Sequence, residues 1–172
     1  MAQGSVQETE IQTLDSGIYP VLDLLPPQLN LRRKGDFIEV HDSLRKKWLL
    51  LTPEEWVRQH VVHWLLTQTR FPDKLISIER GLRGRSGGRT DVLGHDREGR
   101  VLLLVECKAA TESISERTVL QALRYNSELA ARFIWLTNGR IHKVLEFSND
   151  GSLHLEHGIL PGFETMISNE SE

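Results

Sequence analysis

The apolar and polar positions of this chain fall into two periods. Short apolar runs bounded by Gly, Pro or charge read as strands, and two longer stretches repeat at three and four residues and read as helices. The clearest run is Val101-Leu102-Leu103-Leu104-Val105, which begins just after Gly99 and leaves through Glu106-Cys107-Lys108. Its shortness and bounds predict a buried strand. Side chains alternate along a strand, so Glu106 and Lys108 share one face with Leu102 and Leu104, and Cys107 points to the other. The strand is core for most of its length and becomes charged only at its C-terminal end.

Arg89-Thr90-Asp91-Val92-Leu93 reads as the preceding strand, joined to it by the polar turn His95–Gly99. In that hairpin Asp91 lies opposite the end of the next strand, within reach of Glu106 and Lys108. Leu75–Arg80 is the first core strand. Phe133–Thr137 is a buried strand stopped by Asn138-Gly139, His142–Phe147 pairs next, and Leu153–Glu156 is a short edge strand. Phe37–Val40 and Trp48–Leu51 are extended segments around a basic turn, and Val21–Pro27 is a short apolar piece ended by two prolines.

Thr52-Pro53-Glu54-Glu55 is a helix start: Thr52 caps, Pro53 suits the first helical position, and Glu55 completes a capping box. The helix should run to about Thr67. Val57, Val61, Trp64, Leu65 and Gln68 fall on one arc, and Glu54 shares it. Glu55 has a local role as the box acid; for Glu54 the local alternative is first-turn stabilisation by the helix dipole. A second helix spans about Ser115 to Arg132, with Val119, Leu120, Leu123 and Leu129 as its buried stripe and Gln121 and Tyr125 stacked four apart. The expected architecture is α/β, a mixed sheet with a helix on each side.

A length of 172 residues suits one domain with a real core, and 26% charged with 39% apolar residues is the composition of an ordinary soluble globule. The expected division is a disordered tail over 1–20, a single domain over 21–160 and an acidic tail over 161–172. No apolar run approaches membrane-spanning length and no export pattern opens the chain, so the cytoplasm is the expected location and no membrane is expected as a partner. One cysteine excludes an internal disulfide and a Cys-rich zinc site. The net charge of −3 is not that of a globally basic nucleic-acid binder. Positive charge is clustered nonetheless, at Arg32-Arg33-Lys34, at Arg45-Lys46-Lys47, and at Arg80, Arg83, Arg85 and Arg89. Solvated surface is the plain alternative for each cluster.

Asp91, Glu106 and Lys108 form a chemically specific trio. Two adjacent carboxylates repel when both are ionised, and a hard divalent cation relieves that repulsion. Magnesium, or manganese in its place, takes one or two carboxylates and keeps several waters; the Cys107 carbonyl is a candidate further ligand. Lys108 beside the attacking water could lower its pKa or stabilise developing phosphorane charge, which is the chemistry of phosphodiester hydrolysis. The plain alternative is a Glu–Lys bridge at a strand end. The loop Gly81–Arg89 is not a nucleotide-phosphate loop, since it lacks the Gly-Lys-Ser/Thr ending and leads into a strand. As a cationic Gly-rich loop it could grip a nucleic-acid backbone through Arg83, Arg85 and Arg89. The pairs His60/His63 and His154/His157 lack a third ligand nearby, so zinc is not expected. Cys107, aimed into the core, is not expected to be a nucleophile.

Asp91, the hairpin and Glu106-Cys107-Lys108 together resemble the PD-(D/E)xK nuclease signature. More narrowly, about Phe37 to Gly139 resembles the N-terminal nuclease domain of type I restriction enzyme restriction subunits, in a small stand-alone form. The matching blocks are Leu44–Trp48, Thr52–His60, Leu103–Lys108, Gln121–Asn126 and Thr137–Gly139. Thr90 stands where the signature has proline, a position without chemistry. The resemblance implies a magnesium-dependent DNA endonuclease in which Asp91 and Glu106 bind metal, Lys108 assists the water, and Gln121 and Tyr125 organise the DNA side. It also implies a role for Glu54, since an acid on the first helix reaches toward the metal in many nucleases of this kind. The large ATP-driven motor of type I subunits has no counterpart in a chain of this length, so cutting without translocation, or with a borrowed restriction-modification partner, is expected; the resemblance also implies a homodimer, since many nucleases of this fold pair to cut both strands. The competing expectation is a nuclease-fold DNA- or protein-binding module that cuts little alone.

Overall fold

The apolar runs pair into two separate sheets. A computed structural model describes residues 5–7, 10–11, 17–81, 89–148 and 150–168. The first sheet is an antiparallel meander of β1 (Leu31–Lys34), β2 (Phe37–Asp42) and β3 (Lys47–Leu50). The second has six strands in sequence order: β4 (Ile76–Gly81), β5 (Arg89–His95), β6 (Val101–Cys107), β7 (Phe133–Thr137), β8 (His142–Phe147) and β9 (Leu153–His157). Only β6 and β7 are parallel. A parallel pair needs a crossover, and the helix α2 (Glu116–Leu129) supplies it.

The mixed α/β sheet expected from the sequence is the one that forms, with a helix on each face. Leu103, Val105 and Cys107 pack with Trp56, Val57, Val61 and Leu65 of α1 (Pro53–Thr67), and Leu104, Ile134 and Leu136 pack with Ala122 and Tyr125 of α2. All five residues of β7 are buried, because a central strand covered on both faces needs an unbroken apolar run.

Both helices differ in detail from the periodic pattern. Thr52 Oγ1 accepts the Glu55 N–H at 3.1 Å, as the capping motif requires. The return half of the box does not form. The Glu55 carboxylate turns to Arg45, Arg58 and Gln59 instead, and the Thr52 N–H donates to the Leu50 carbonyl. Charged donors outcompete a neutral amide. Glu55 to Val62 are buried all round rather than along one arc, because the first sheet and the N-terminal segment cover the side of α1 that the main sheet leaves open. Gln68, placed on that arc, is an exposed C-cap. α2 stops at Leu129, short of Arg132, because Ala130 turns left-handed at φ 51° and the Asn126 amide binds both backbone groups of Ala131. Leu120 is 55% exposed; the buried seam is Thr118, Ala122 and Tyr125.

The expected tails are partly ordered structure. Within 1–20, Val6 and Ile11 are buried in the core, the Tyr19 hydroxyl donates to the Leu51 carbonyl at 2.6 Å, and the Pro20 carbonyl accepts from Trp56 Nε1 at 3.1 Å. Within 161–172, a helix α3 (Phe163–Ser168) buries Phe163 and Met166, with the Phe163 ring 4.7 Å from that of Phe71. Isolated anchors of this kind have no periodicity to announce them. Leu22 seats against Gly139, whose φ is +83° and where a Cβ would lie 2.8 Å from the leucine methyls.

Candidate functional site

The period of a strand brings the two acids together. Val92 faces Val105 and Leu93 faces Leu104 across β5 and β6, and one more step of that register sets Asp91 across from Glu106. Asp91 Oδ2 accepts the Cys107 N–H at 2.7 Å, which pins the carboxylate to the end of β6. Glu106 is 5% exposed. One of its oxygens meets Lys108 Nζ at 3.3 Å, and the other, Oε2, is buried without a hydrogen-bond partner. The Lys108 N–H donates to the Thr137 carbonyl at 2.8 Å, so β7 holds the lysine's backbone in place.

The electrostatics follow from this crowding. Burial raises the Asp91 carboxyl, although the Cys107 N–H, Arg58 and Lys108 oppose the rise. Burial first, then the charge of Asp91, pushes Glu106 up to about 7. Desolvation pulls Lys108 down, but the neighbouring Glu106 and Asp91 carboxylates outweigh it and raise its pKa, so the ammonium persists. Burial lifts the Cys107 thiol far above its ordinary range, and it stays protonated and inert, as its inward aim suggests.

The first turn of α1 points at the same place. Glu54 is exposed and close enough to raise the pKa of both Asp91 and Glu106. Arg58, one turn later, acts on Asp91 with the opposite sign. Sequence reasoning missed Arg58, although its spacing of four from Glu54 was the available signal. Asn138 was also missed as a scaffold residue. Its amide donates to the Glu112 carbonyl at 2.7 Å and its oxygen accepts the N–H groups of Arg140 and Ile141, tying the β7 turn to the loop after Lys108.

Gln121 and Tyr125 meet as their spacing requires, with Gln121 Nε2 donating to the Tyr125 hydroxyl at 2.9 Å. Tyr125 is buried, so its hydroxyl orients Gln121. Gln121 in turn lines a cavity of about 560 Å³ together with Lys108. Arg83 and Arg85 lie outside the described residues, as does the side chain of Arg89 at the start of β5. Arg45 is taken up in a buried ion pair with Asp42 and Glu55. His60 is buried, with Nδ1 2.8 Å from the Trp56 carbonyl, a core histidine rather than a metal ligand.

A divalent cation fits the acid pair. Among the described residues no three His, Cys, Asp or Glu side chains form a ready cage. Magnesium asks for less than a cage, one or two carboxylates with water completing the shell. The partnerless Glu106 oxygen beside Asp91 supplies the opening for it.

The family model described as Type I restriction enzyme R protein N terminus (HSDR_N) matches residues 53–157, well over half of the chain and the whole span from α1 to β9. The chain belongs to this family. Among solved structures, the chain is similar to one described as the fragment structure of a putative HsdR subunit of a type I restriction enzyme from Vibrio vulnificus YJ016. That match has 20% identity and a TM-score of 0.51, and it covers 70% of this chain and 25% of that one. A second similar structure is the type IIG restriction endonuclease BpuSI, at 20% identity and a TM-score of 0.39, covering 55% of this chain and 11% of that one. The chain thus spans a quarter or less of these proteins. No curated protein matches it. Among the described residues no helix is long and apolar enough to cross a membrane.

Proposed function

We propose that this domain is a magnesium-dependent DNA endonuclease that hydrolyses phosphodiester bonds. The observation that carries it is the acid pair at the end of β5 and β6, with Glu106 Oε2 buried and partnerless and Lys108 3.3 Å from the other oxygen. Asp91 and Glu106, with the Cys107 carbonyl, would hold the cation; manganese is the substitute. The cation supplies charge neutralisation at the phosphate and a more acidic bound water. Lys108 keeps its proton at Nζ beside two carboxylates, so it stabilises developing negative charge rather than acting as a base. Gln121, oriented by Tyr125, presents an amide to the DNA side of the cavity that Lys108 lines. Glu54 adds negative charge at the mouth of the site, and Arg83, Arg85 and Arg89 are available to the DNA backbone. Cutting both strands would use a second copy or a restriction-modification partner, and translocation is not part of the activity proposed for this domain.

The test is cleavage of supercoiled plasmid and single-stranded circular DNA with magnesium or manganese, wild type beside Asp91→Ala and Lys108→Ala. Cleavage lost in both variants is the expected result. No cleavage by a wild type that still gains melting temperature from the cation through Asp91 would mean a binding module dependent on a partner. Cleavage surviving both changes would refute the site.

A further inference from the structure

The cavity that holds Lys108 and Gln121 does not end at them. A second cavity, about 640 Å³, lies along the outer face of α2 and is lined by Glu116, Arg117, Leu120, Gln121, Arg124 and Tyr125. Arg117 and Gln121 line both cavities, so the two adjoin as a groove that runs from Lys108 along α2. Arg117, Gln121 and Arg124 stand at intervals of four and three and so form one stripe along the helix. Arg117 and Arg124 are exposed, and no ion pair holds either of them among those the structure shows at this face. Between them Leu120 stands 55% exposed, an apolar side chain at a place where the helix has no protein to cover. Glu112 and Glu116 are the acids on the groove, Glu112 beside Lys108 and Glu116 at the start of the helix.

We infer that this face of α2 is the track for one nucleic-acid strand leaving the cleavage site, with Arg117 and Arg124 on phosphates about three nucleotides apart and Leu120 against the sugars or bases between them. The inference rests on the proposed nuclease function and adds to it a contact surface and three residues. Two cations flanking an uncovered apolar side chain match a strand whose charge lies on its phosphates and whose apolar surface lies between them. Seven residues of helix span roughly 10 Å, about three nucleotide steps at 3.4 Å of rise each. The groove begins at the group placed beside the scissile phosphate, so a strand laid along it is already in register with Lys108.

The experiment is binding of a fluorescently labelled DNA duplex by full-length protein in EDTA, followed by anisotropy from 50 to 200 mM salt. Wild type is set beside Arg117→Gln/Arg124→Gln, Leu120→Ala and Arg70→Gln, the last an exposed arginine at the far end of α1. Each phosphate contact makes a fourfold rise in salt cost about 3.5-fold in affinity, so removing two contacts should shrink the salt effect about twelvefold. Arg70→Gln should leave it unchanged, and Leu120→Ala should weaken binding without altering the salt dependence. In magnesium the double variant should raise KM and keep kcat. An unchanged salt slope in the double variant, or an equal loss in Arg70→Gln, would overturn the track. Absence of any DNA binding by the wild type would overturn it as well. Failure of the nuclease function itself would show separately, as plasmid cleavage indifferent to Asp91.

Discussion

Replacing Glu106 by Gln should stabilise the cation-free protein, and the gain should grow with pH. Glu106 is 5% exposed, shares Lys108 on one oxygen and leaves the other buried without a partner. Burial and then the Asp91 charge raise its carboxyl from 4.5 to about 7. The folded pKa lies above the unfolded one, so between the two values the folded chain holds a proton that the unfolded chain releases. Stability from this group therefore falls as pH rises through that window, and the whole penalty is present above about 7. The gap, at 1.36 kcal/mol for each pH unit, is about 3 kcal/mol. Gln keeps the size and an acceptor for Lys108 and carries no charge to desolvate. At 2–4 °C per kcal/mol for a chain of this size, the Tm difference in EDTA should climb from near zero at pH 5 to roughly 6–12 °C at pH 8. Thermal denaturation across that range measures it. A difference independent of pH, or a variant less stable than wild type at pH 8, would refute the assignment of Glu106 as a destabilising buried acid.

Two further substitutions test the scaffold. Glu55→Ala takes a carboxylate from Arg58 and leaves Arg45 to Asp42 inside a buried cluster, so it should cost about 3–5 kcal/mol by urea denaturation; a loss under 1 kcal/mol would show that Asp42 and water serve the two guanidinium groups. Gly139→Ala meets a φ of +83° and the methyls of Leu22 at 2.8 Å and should cost about 2 kcal/mol or more. Part of that cost should vanish in a Leu22→Ala background, and strict additivity of the two changes would show that the leucine contact does not matter.

The acid pair was legible because a strand permits only two facings. Once Val101–Val105 is a strand and Arg89–Leu93 its hairpin partner, Asp91 and Glu106 must come together, and no tertiary information is needed to say so. The start of α1 was legible for the same local reason, since capping is decided within four residues. Leu120 was misplaced because the stripe was drawn through the leucines, whereas the seam of α2 is made by Ala122 and Tyr125, a small residue that admits the sheet and a ring that fills the gap beside it. Val6, Ile11 and Tyr19 were invisible because each docks alone, and a single apolar residue in a polar segment carries no period. The partners of Glu55 were equally out of reach: Arg45 comes from the turn between β2 and β3, and only the folded chain shows that a carboxylate suited to a capping box has better donors.

That last point bears on which part of the chain makes the site work. The residues matched by the family begin at Pro53, and every candidate site residue lies within them. Yet α1, which brings Glu54 and Arg58 to bear on Asp91 with opposite signs, is held from outside that span. Arg45 and Asp42 grip Glu55 and Gln59 on one side of the helix, and Tyr19 and Pro20 fix Trp56 on another. A helix rotated by one residue would turn its side chains by about 100°, carrying Arg58 away from the acid and leaving two raised carboxyls with one fewer compensating charge. The first sheet contributes none of the candidate site residues, but the charge balance at Asp91 depends on it through α1. The matched span is therefore smaller than the set of residues that position α1: Tyr19, Pro20, Asp42 and Arg45 belong to that set and lie outside the span.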